Sequence, residues 1–247
     1  MSYLEEFLKF GSYPEVALEK DENEKLKILR DYLDLTVYKD IIERHGIKNT
    51  STIKWLMNSM VKSVAKEASL NKLFLALKSQ GQKLSKNTVY GYFSILEDSF
   101  FVFALRKFGH SYKGEGLSLP KIYLDDIGFL SLFSIEDYGR RMENAVFLHL
   151  LRQKINSPLM AINYWRANGG GEVDFVVRKG RKIKQLIQAC YDLSDESTKE
   201  REVKSLLSAM DAFSLKEGTI ITYDEEGIEE YGKKKIKLVP LWELLLS

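Results

Sequence analysis

The stretch "GGGEVDFVVRKGRKIKQLIQAC", residues 169–190, limits the fold more than any other part of the sequence. Two β-prone runs meet across a tight basic turn at Gly180, the pattern of paired strands. Successive strand side chains point to opposite faces, so Glu172 and Asp174 are expected on one face and Val173, Phe175 and Val177 on the other. A carboxylate in a mid-sheet strand is uncommon unless it binds something. On the second strand the same period of two joins Gln188 to Cys190.

The elements around this pair predict a mixed α/β (α+β) sandwich over residues 121–247. A helix from about Gly139 to Lys154 precedes the strand "AINYWRA". After the pair come a helix from about Ser197 to Phe213, the strand "GTIITY" and the strand-helix run "KIKLVPLWELLL". Upstream, residues 47–120 hold three helical patterns. The first starts at "NTST", the second carries Leu73, Phe74 and Leu77, and the third is capped by Ser85 with Val89, Phe93 and Leu96 on its apolar face. The β-prone "FFVFAL", the Gly-rich "GHSYKGEG" and "PKIYL" then suggest a hairpin. Three helices and a hairpin read as a winged helix-turn-helix. Residues 1–46, with Leu26, Leu29, Leu33, Val37 and Ile41 at helical spacing, read as a helical connector too short to enclose a core alone.

Charge separates these segments. Residues 1–46 hold 7 Lys/Arg and 11 Asp/Glu, residues 47–113 hold 11 and 3, and residues 114–247 hold 19 and 21. A basic segment in a chain of net charge +2 is the electrostatic footprint expected of a polyanion site, although a solvated lysine face gives the same numbers. On the winged-helix reading the DNA contacts are Lys83, Lys86, Asn87, Thr88 and Tyr90 around the third helix, with Lys113 in the wing. A single cysteine excludes an internal disulfide, the N-terminus lacks a secretory leader, and no run approaches the roughly 18 apolar residues of a membrane span. A cytoplasmic protein that does not enter the membrane is expected.

Glu143 raises the same question as Asp174. Val146, Phe147 and Leu150 follow it by three, four and seven positions, which places the carboxylate on the face that packs against the sheet. A buried carboxylate requires a partner. Arg140 or Arg141 would supply a structural one; alternatively, Glu143 and Asp174 are two hard oxygen ligands of the kind Mg²⁺ or Mn²⁺ takes.

The helix "RRMENAVFLHLL" and the strands "EVDFVV" and "LIQAC" resemble the PD-(D/E)XK restriction-endonuclease-like superfamily. Its pattern is a helix Glu, a strand Asp, then Glu-x-Lys on the adjacent strand. The wider series "GSYPEVAL", "LSKNTVYGYFSILED", "KIYLDDIG", "NYWRANGGGEVDFVV" and "IITYDEEG" looks like the C-terminal half of archaeal and bacterial AAA+ family ATPases, over essentially the whole chain. The resemblance implies catalytic and metal-binding roles for Glu143, Asp174 and Gln188, with Cys190 at the lysine position. It also implies an ATPase partner or module. Two departures stand out. No Gly-x-x-x-x-Gly-Lys-Ser/Thr loop occurs, so ATP hydrolysis by this chain is not expected, whether it is a fragment or a stand-alone relative. In the third motif, a neutral amide and a thiol replace an acid and an ammonium, which weakens metal binding and phosphate stabilisation. A base migrated from Lys184, Lys199 or Arg201 is the available rescue.

Three functions follow as expectations. The first is a DNA-binding module with a degenerate nuclease-like domain, acting with an AAA+ type ATPase. The second is an active Mg²⁺- or Mn²⁺-dependent DNA endonuclease. The third is a protein-interaction module that regulates an ATPase.

Overall fold

Local sequence decides where most helices begin. In the computed structural model, which describes residues 2–109, 118–167 and 169–247, Ser2, Asp21, Asn49, Ser69, Ser85, Asp137 and Asp195 each accept a backbone N–H in the first turn of the helix that follows. The structure is mixed α/β, with a helical N-terminal part. It divides into two compact units, residues 1–104 with 119–136, and residues 105–118 with 137–247. This division differs from the expected 1–46, 47–120 and 121–247: the N-terminal helices and the three-helix segment share one unit, and residues 121–136 belong with them.

The first unit contains α1 (Tyr3–Phe10), α2 (Pro14–Leu18), α3 (Glu22–Leu35), a π-helix (Thr36–Glu43), α4 (Thr50–Lys62), α5 (Leu70–Ser79), α6 (Lys86–Asp98), β1 (Val102–Leu105), β2 (Lys121–Leu124) and α7 (Phe129–Leu132). Buried positions along α3 and the π-helix fall at Lys25, Leu29, Leu33, Val37 and Ile41. Their uniform spacing of four exceeds the 3.6-residue turn, so an under-wound helix keeps the stripe on one side. Lys25 enters that stripe where Leu26 was expected. Its ammonium is satisfied by Glu6 Oε1 at 2.6 Å and Val16 O at 2.7 Å.

After α6, β1 and β2 form a two-stranded sheet. The segment between α4 and α5 adds to it: Val64 bridges Ile122 and Glu67 bridges Lys121, with Ala65 N donating to Ile122 O at 2.8 Å. This third edge has no periodic signature, because only a few residues pair.

The second unit contains α8 (Tyr138–Ile155), β3 (Met160–Arg166), β4 (Glu172–Lys179), β5 (Lys182–Ala189), α9 (Glu196–Ala212), β6 (Glu217–Thr222), β7 (Gly227–Tyr231), β8 (Lys234–Pro240) and α10 (Leu241–Leu246). The sheet order is β3-β4-β5-β6-β8-β7, with β5-β6 and β6-β8 parallel and the other pairs antiparallel. The parallel step from β5 to β6 needs a crossover, which α9 provides. Leu206, Ala209 and Met210 of α9 bury against Val173, Val176, Leu186 and Ile220. Gly218 permits this close approach: a Cβ there would stand 3.0 Å from Leu206 and from Met210 Sδ. Leu206→Ala in this interface would cost about 2–5 kcal/mol. On the other side, α8 packs on β3, β5 and α10.

Candidate functional site

The strand alternation expected around Asp174 does not hold, and a β-bulge is the reason. Asn163 of β3 opposes Val176 but Trp165 opposes Val173, so Asp174 and Phe175 together face the single residue Tyr164. The extra residue shifts the phase of β4. Val173 and Val176, three apart, consequently both reach the cluster under α9, while Phe175 meets Phe147 of α8 at 6.5 Å between ring centroids. Glu172 and Asp174 therefore have different surroundings. Glu172 pairs with Arg166, whereas Asp174 is only 5% exposed.

At Asp174 the ladder between β4 and β5 stops and side chains continue it. The last backbone pair is Phe175 with Ile187. Beyond it, Asp174 Oδ2 accepts Ala189 N–H at 3.0 Å, and Gln188 Oε1 accepts Asp174 N–H at 3.3 Å. Two backbone donors left by the diverging strands are thus satisfied by the two side chains that sequence singles out. The Gln188 amide nitrogen then donates to Glu202 Oε2 of α9, and Arg201 reaches Glu202 Oε1 at 2.7 Å. Because Oε1 faces an N–H donor and Nε2 faces a carboxylate, only one amide orientation fits.

Glu202 was not foreseen, yet the rule applied to Glu143 would have found it. Ser205, Leu206 and Ala209 lie three, four and seven positions after Glu202, and all are buried. Burial raises the Glu202 carboxyl above its ordinary value, the Asp174 charge adds to the rise, and Arg201 and Gln188 oppose it. Glu202 thus brings a second carboxylate, from the helix, to the Asp174–Gln188 pair.

Glu143 is half-buried and makes interactions of its own, while Arg141 and Asn144 are the more deeply buried polar groups of α8. Cys190 is buried, and burial pushes its thiol up to about 11, so it stays protonated at neutral pH and supplies no charge. Of the candidate bases, Lys199 pairs with Glu229 at 2.5 Å and Arg201 with Glu202. Lys184 is exposed and has no paired position in the β4-β5 register, where the second bulge falls, so it does not share the buried environment of Gln188. Among the described residues no three or more His, Cys, Asp or Glu are grouped to hold a metal ion. As arranged, Gln188 spends its oxygen on a backbone N–H and offers its NH₂ to Glu202, which does not fit a divalent cation.

The other predicted surface lies on α6. Ser85 accepts Thr88 N–H at 3.1 Å, and Val89, Phe93 and Leu96 are buried. That orientation leaves Lys83, Lys86, Asn87 and Tyr90 exposed at the helix start, with Lys86 Nζ 5.5 Å from the Tyr90 ring centroid. Thr88 is half-buried, its hydroxyl 2.9 Å from Ser85 Oγ, and takes part in the cap. Lys113 and most of the "GHSYKGEG" loop lie outside the described residues.

The first unit also buries acids, in "KIYLDDIG". Asp126 accepts Ser12 N and Ser12 Oγ at 2.7 Å each and Gly128 N at 2.6 Å. Gly11 sits at φ +81°, and a Cβ there would stand 1.7 Å from Asp126 Oδ1, so no other residue fits. Asp125 contrasts with its neighbour. Its Oδ2 accepts Tyr13 O–H at 3.3 Å, while Oδ1 is buried without a hydrogen-bond partner in the protein. Burial, and then the Asp126 charge, pushes the Asp125 carboxyl up to about 7.

Comparison with known proteins divides the chain within a residue or so of the fold's boundary at 136/137, but keeps residues 105–118 with the first part. Residues 1–137 match the family described as Domain of unknown function (DUF8612), and residues 138–244 match Domain of unknown function (DUF4143). Uncharacterized protein MJ1544 of Methanocaldococcus jannaschii is 38% identical over 259 aligned residues, covering 100% of this chain and 56% of the relative. An uncharacterized protein of Haemophilus influenzae is 26% identical over 84% of this chain and 50% of its own length. The chain thus spans about half the length of the curated relatives it matches. No solved structure matches it. Among the described residues no helix is long and apolar enough to cross a membrane. The match over residues 1–137, more than half of the sequence, means that the chain belongs to the family of the domain of unknown function DUF8612.

Proposed function

We propose that this chain is a cytoplasmic DNA-binding module whose nuclease-like second unit acts as a scaffold, working with an AAA+ type ATPase. One observation carries the reading: the start of α6 exposes Lys83, Lys86, Asn87 and Tyr90 together, in the chain's basic segment. On a winged helix the third helix enters the major groove, and a helix N-terminus favours phosphate oxygens. The scaffold role is supported by the closed hydrogen bonding of Asp174 and Gln188 and by the protonated Cys190 thiol. An ATPase partner is supported by the resemblance to the C-terminal halves of AAA+ proteins.

Fluorescence anisotropy with a labelled 20-base-pair duplex tests the DNA claim. At about 50 mM salt we expect micromolar binding that weakens steeply as salt rises, the signature of counterion release. Lys83→Glu with Lys86→Glu should weaken it at least tenfold, and since acids are favoured at a helix N-terminus the fold should survive. Absence of binding even at low salt would overturn the reading. Glu202 favours the competing one, a Mn²⁺- or Mg²⁺-dependent endonuclease, because it brings a second carboxylate to Asp174 and Gln188. That alternative predicts nicking of supercoiled plasmid that vanishes in Asp174→Ala.

A further inference from the structure

The sheet of the second unit has two edges, and they are treated differently. At β3 the chain covers itself: Lys107 bridges Tyr164, with Phe108 N donating to Tyr164 O at 2.6 Å and Tyr164 N donating to Arg106 O at 3.1 Å. At β7 nothing comparable occurs. Its antiparallel register with β8 uses one side, and among the described residues no backbone hydrogen bond reaches the other. An open row of N–H and C=O groups is a template for another strand.

Two features show what kind of strand would fit. The first is a groove of about 550 Å³ beside the edge, between one face of α9 and β7, floored by Val203, Leu207 and Tyr231 and rimmed by Glu196, Glu200 and Asp211 together with Lys199 and Lys204. Strand alternation sends Glu229 and Tyr231 toward α9, where Glu229 meets Lys199, and leaves Ile228 62% exposed on the opposite face. An added strand would likewise set alternate side chains over the groove. The second feature is charge. From Tyr223 to Tyr231 the sequence "YDEEGIEEY" holds five acids and no base. Lys199 and Lys235 pair with Glu229 and Glu230, whereas Asp224, Glu225 and Glu226 are exposed, with no ion pair to them among the described residues.

A second copy of this chain is a poor occupant of the edge, because antiparallel pairing of β7 with itself sets glutamates against glutamates. We infer that β7 and the adjoining α9 groove form a docking site for an extended basic segment of a partner protein, bound by strand addition. Backbone hydrogen bonds would supply affinity, while the groove and the acidic turn would select apolar and cationic side chains at alternate positions. The inference is independent of DNA binding by the first unit.

The test uses the full chain and fluorescein-labelled octapeptides. An alternating Lys-Val peptide should bind at 50 mM salt with a Kd of tens of micromolar, and an alternating Glu-Val peptide at least tenfold more weakly. Glu225→Lys with Glu226→Lys, two exposed positions in the turn, should reduce Lys-Val binding at least fivefold with the circular dichroism spectrum unchanged. The Lys-Val peptide N-methylated at alternate residues keeps its charge but cannot extend the ladder, and it should lose binding. Retained binding after N-methylation would mean charge adhesion alone and would overturn the proposal. So would equal binding of both peptides, no binding of either, or self-association by sedimentation that Ile228→Lys abolishes.

Discussion

Asp174, near the start of β4, and Asp125, just after β2, each lie close to another acid, Glu202 and Asp126, and they differ in what their oxygens touch. Asp174 and its neighbour Gln188 satisfy backbone donors released by two diverging strands. Asp125 gives one oxygen to a tyrosine and leaves the other without a protein partner, and its carboxyl rises to about 7. Hydrogen-bond donors stabilise a charged carboxylate, whereas burial without them favours the proton. Asp174 is thus committed to the junction between two strands, while burial pushes the Asp125 carboxyl of the helical unit up to about 7.

The largest expected effect comes from removing that titration. A carboxyl raised from 3.8 to about 7 contributes stability that is fully present below about pH 4 and is lost as pH climbs through about 7. Three pH units correspond to at most about 4 kcal/mol. Asp125→Asn keeps an acceptor for Tyr13 and cannot ionise, so thermal unfolding between pH 4 and pH 8 should show a flatter profile, with the variant more stable at pH 8. An unchanged slope would mean that Asp125 is not the titrating group.

Gln188→Leu should have the next largest effect, in the opposite direction. It strands Asp174 N–H and removes one donor from Glu202, which should destabilise by about 2–4 kcal/mol in urea unfolding at pH 7. Lowering the pH should recover part of that loss, because burial already raises the Glu202 carboxyl and its protonated form no longer needs the amide. Failure to recover would show that the amide serves the backbone alone.

The smallest effect belongs to Cys190. Cys190→Ala should cost about 1 kcal/mol, the loss of a small apolar group from the cluster under α9. In the parent protein a thiol pushed up to about 11 should react with a disulfide reagent at pH 7.5 only as fast as the chain opens. Rapid labelling would contradict the burial.

How far the sequence could be read follows from what each signal depends on. The α6 face was legible, because Val89, Phe93 and Leu96 keep a helical period that fixes which side Lys86, Asn87 and Tyr90 show. The pairing of β4 with β5 was legible for the same kind of reason. The side to which each β4 residue points was not, since a single inserted residue opposite Tyr164 changes the phase without changing composition. Glu202 was legible in principle, since Leu206 and Ala209 follow it at helical spacing, but nothing in the strand pattern points to the helix that carries it. The unit boundary was missed because residues 121–136 sit next in sequence to the second unit and fold with the first.

The crossover from β5 to β6 sets an order in time as well as in space. The strands β3, β4 and β5 are joined by short turns, so they can pair as soon as neighbouring residues meet. Alpha-helix α9 must be laid down before β6 can reach β5, a longer loop to close. Gln188 belongs to the early meander and Glu202 to the late helix, so their hydrogen bond forms only on docking. The Gln188–Glu202 bond thus marks completion of the crossover, and Gln188→Leu should act mainly on the last step of assembly, readable as faster unfolding with little change in the folding rate.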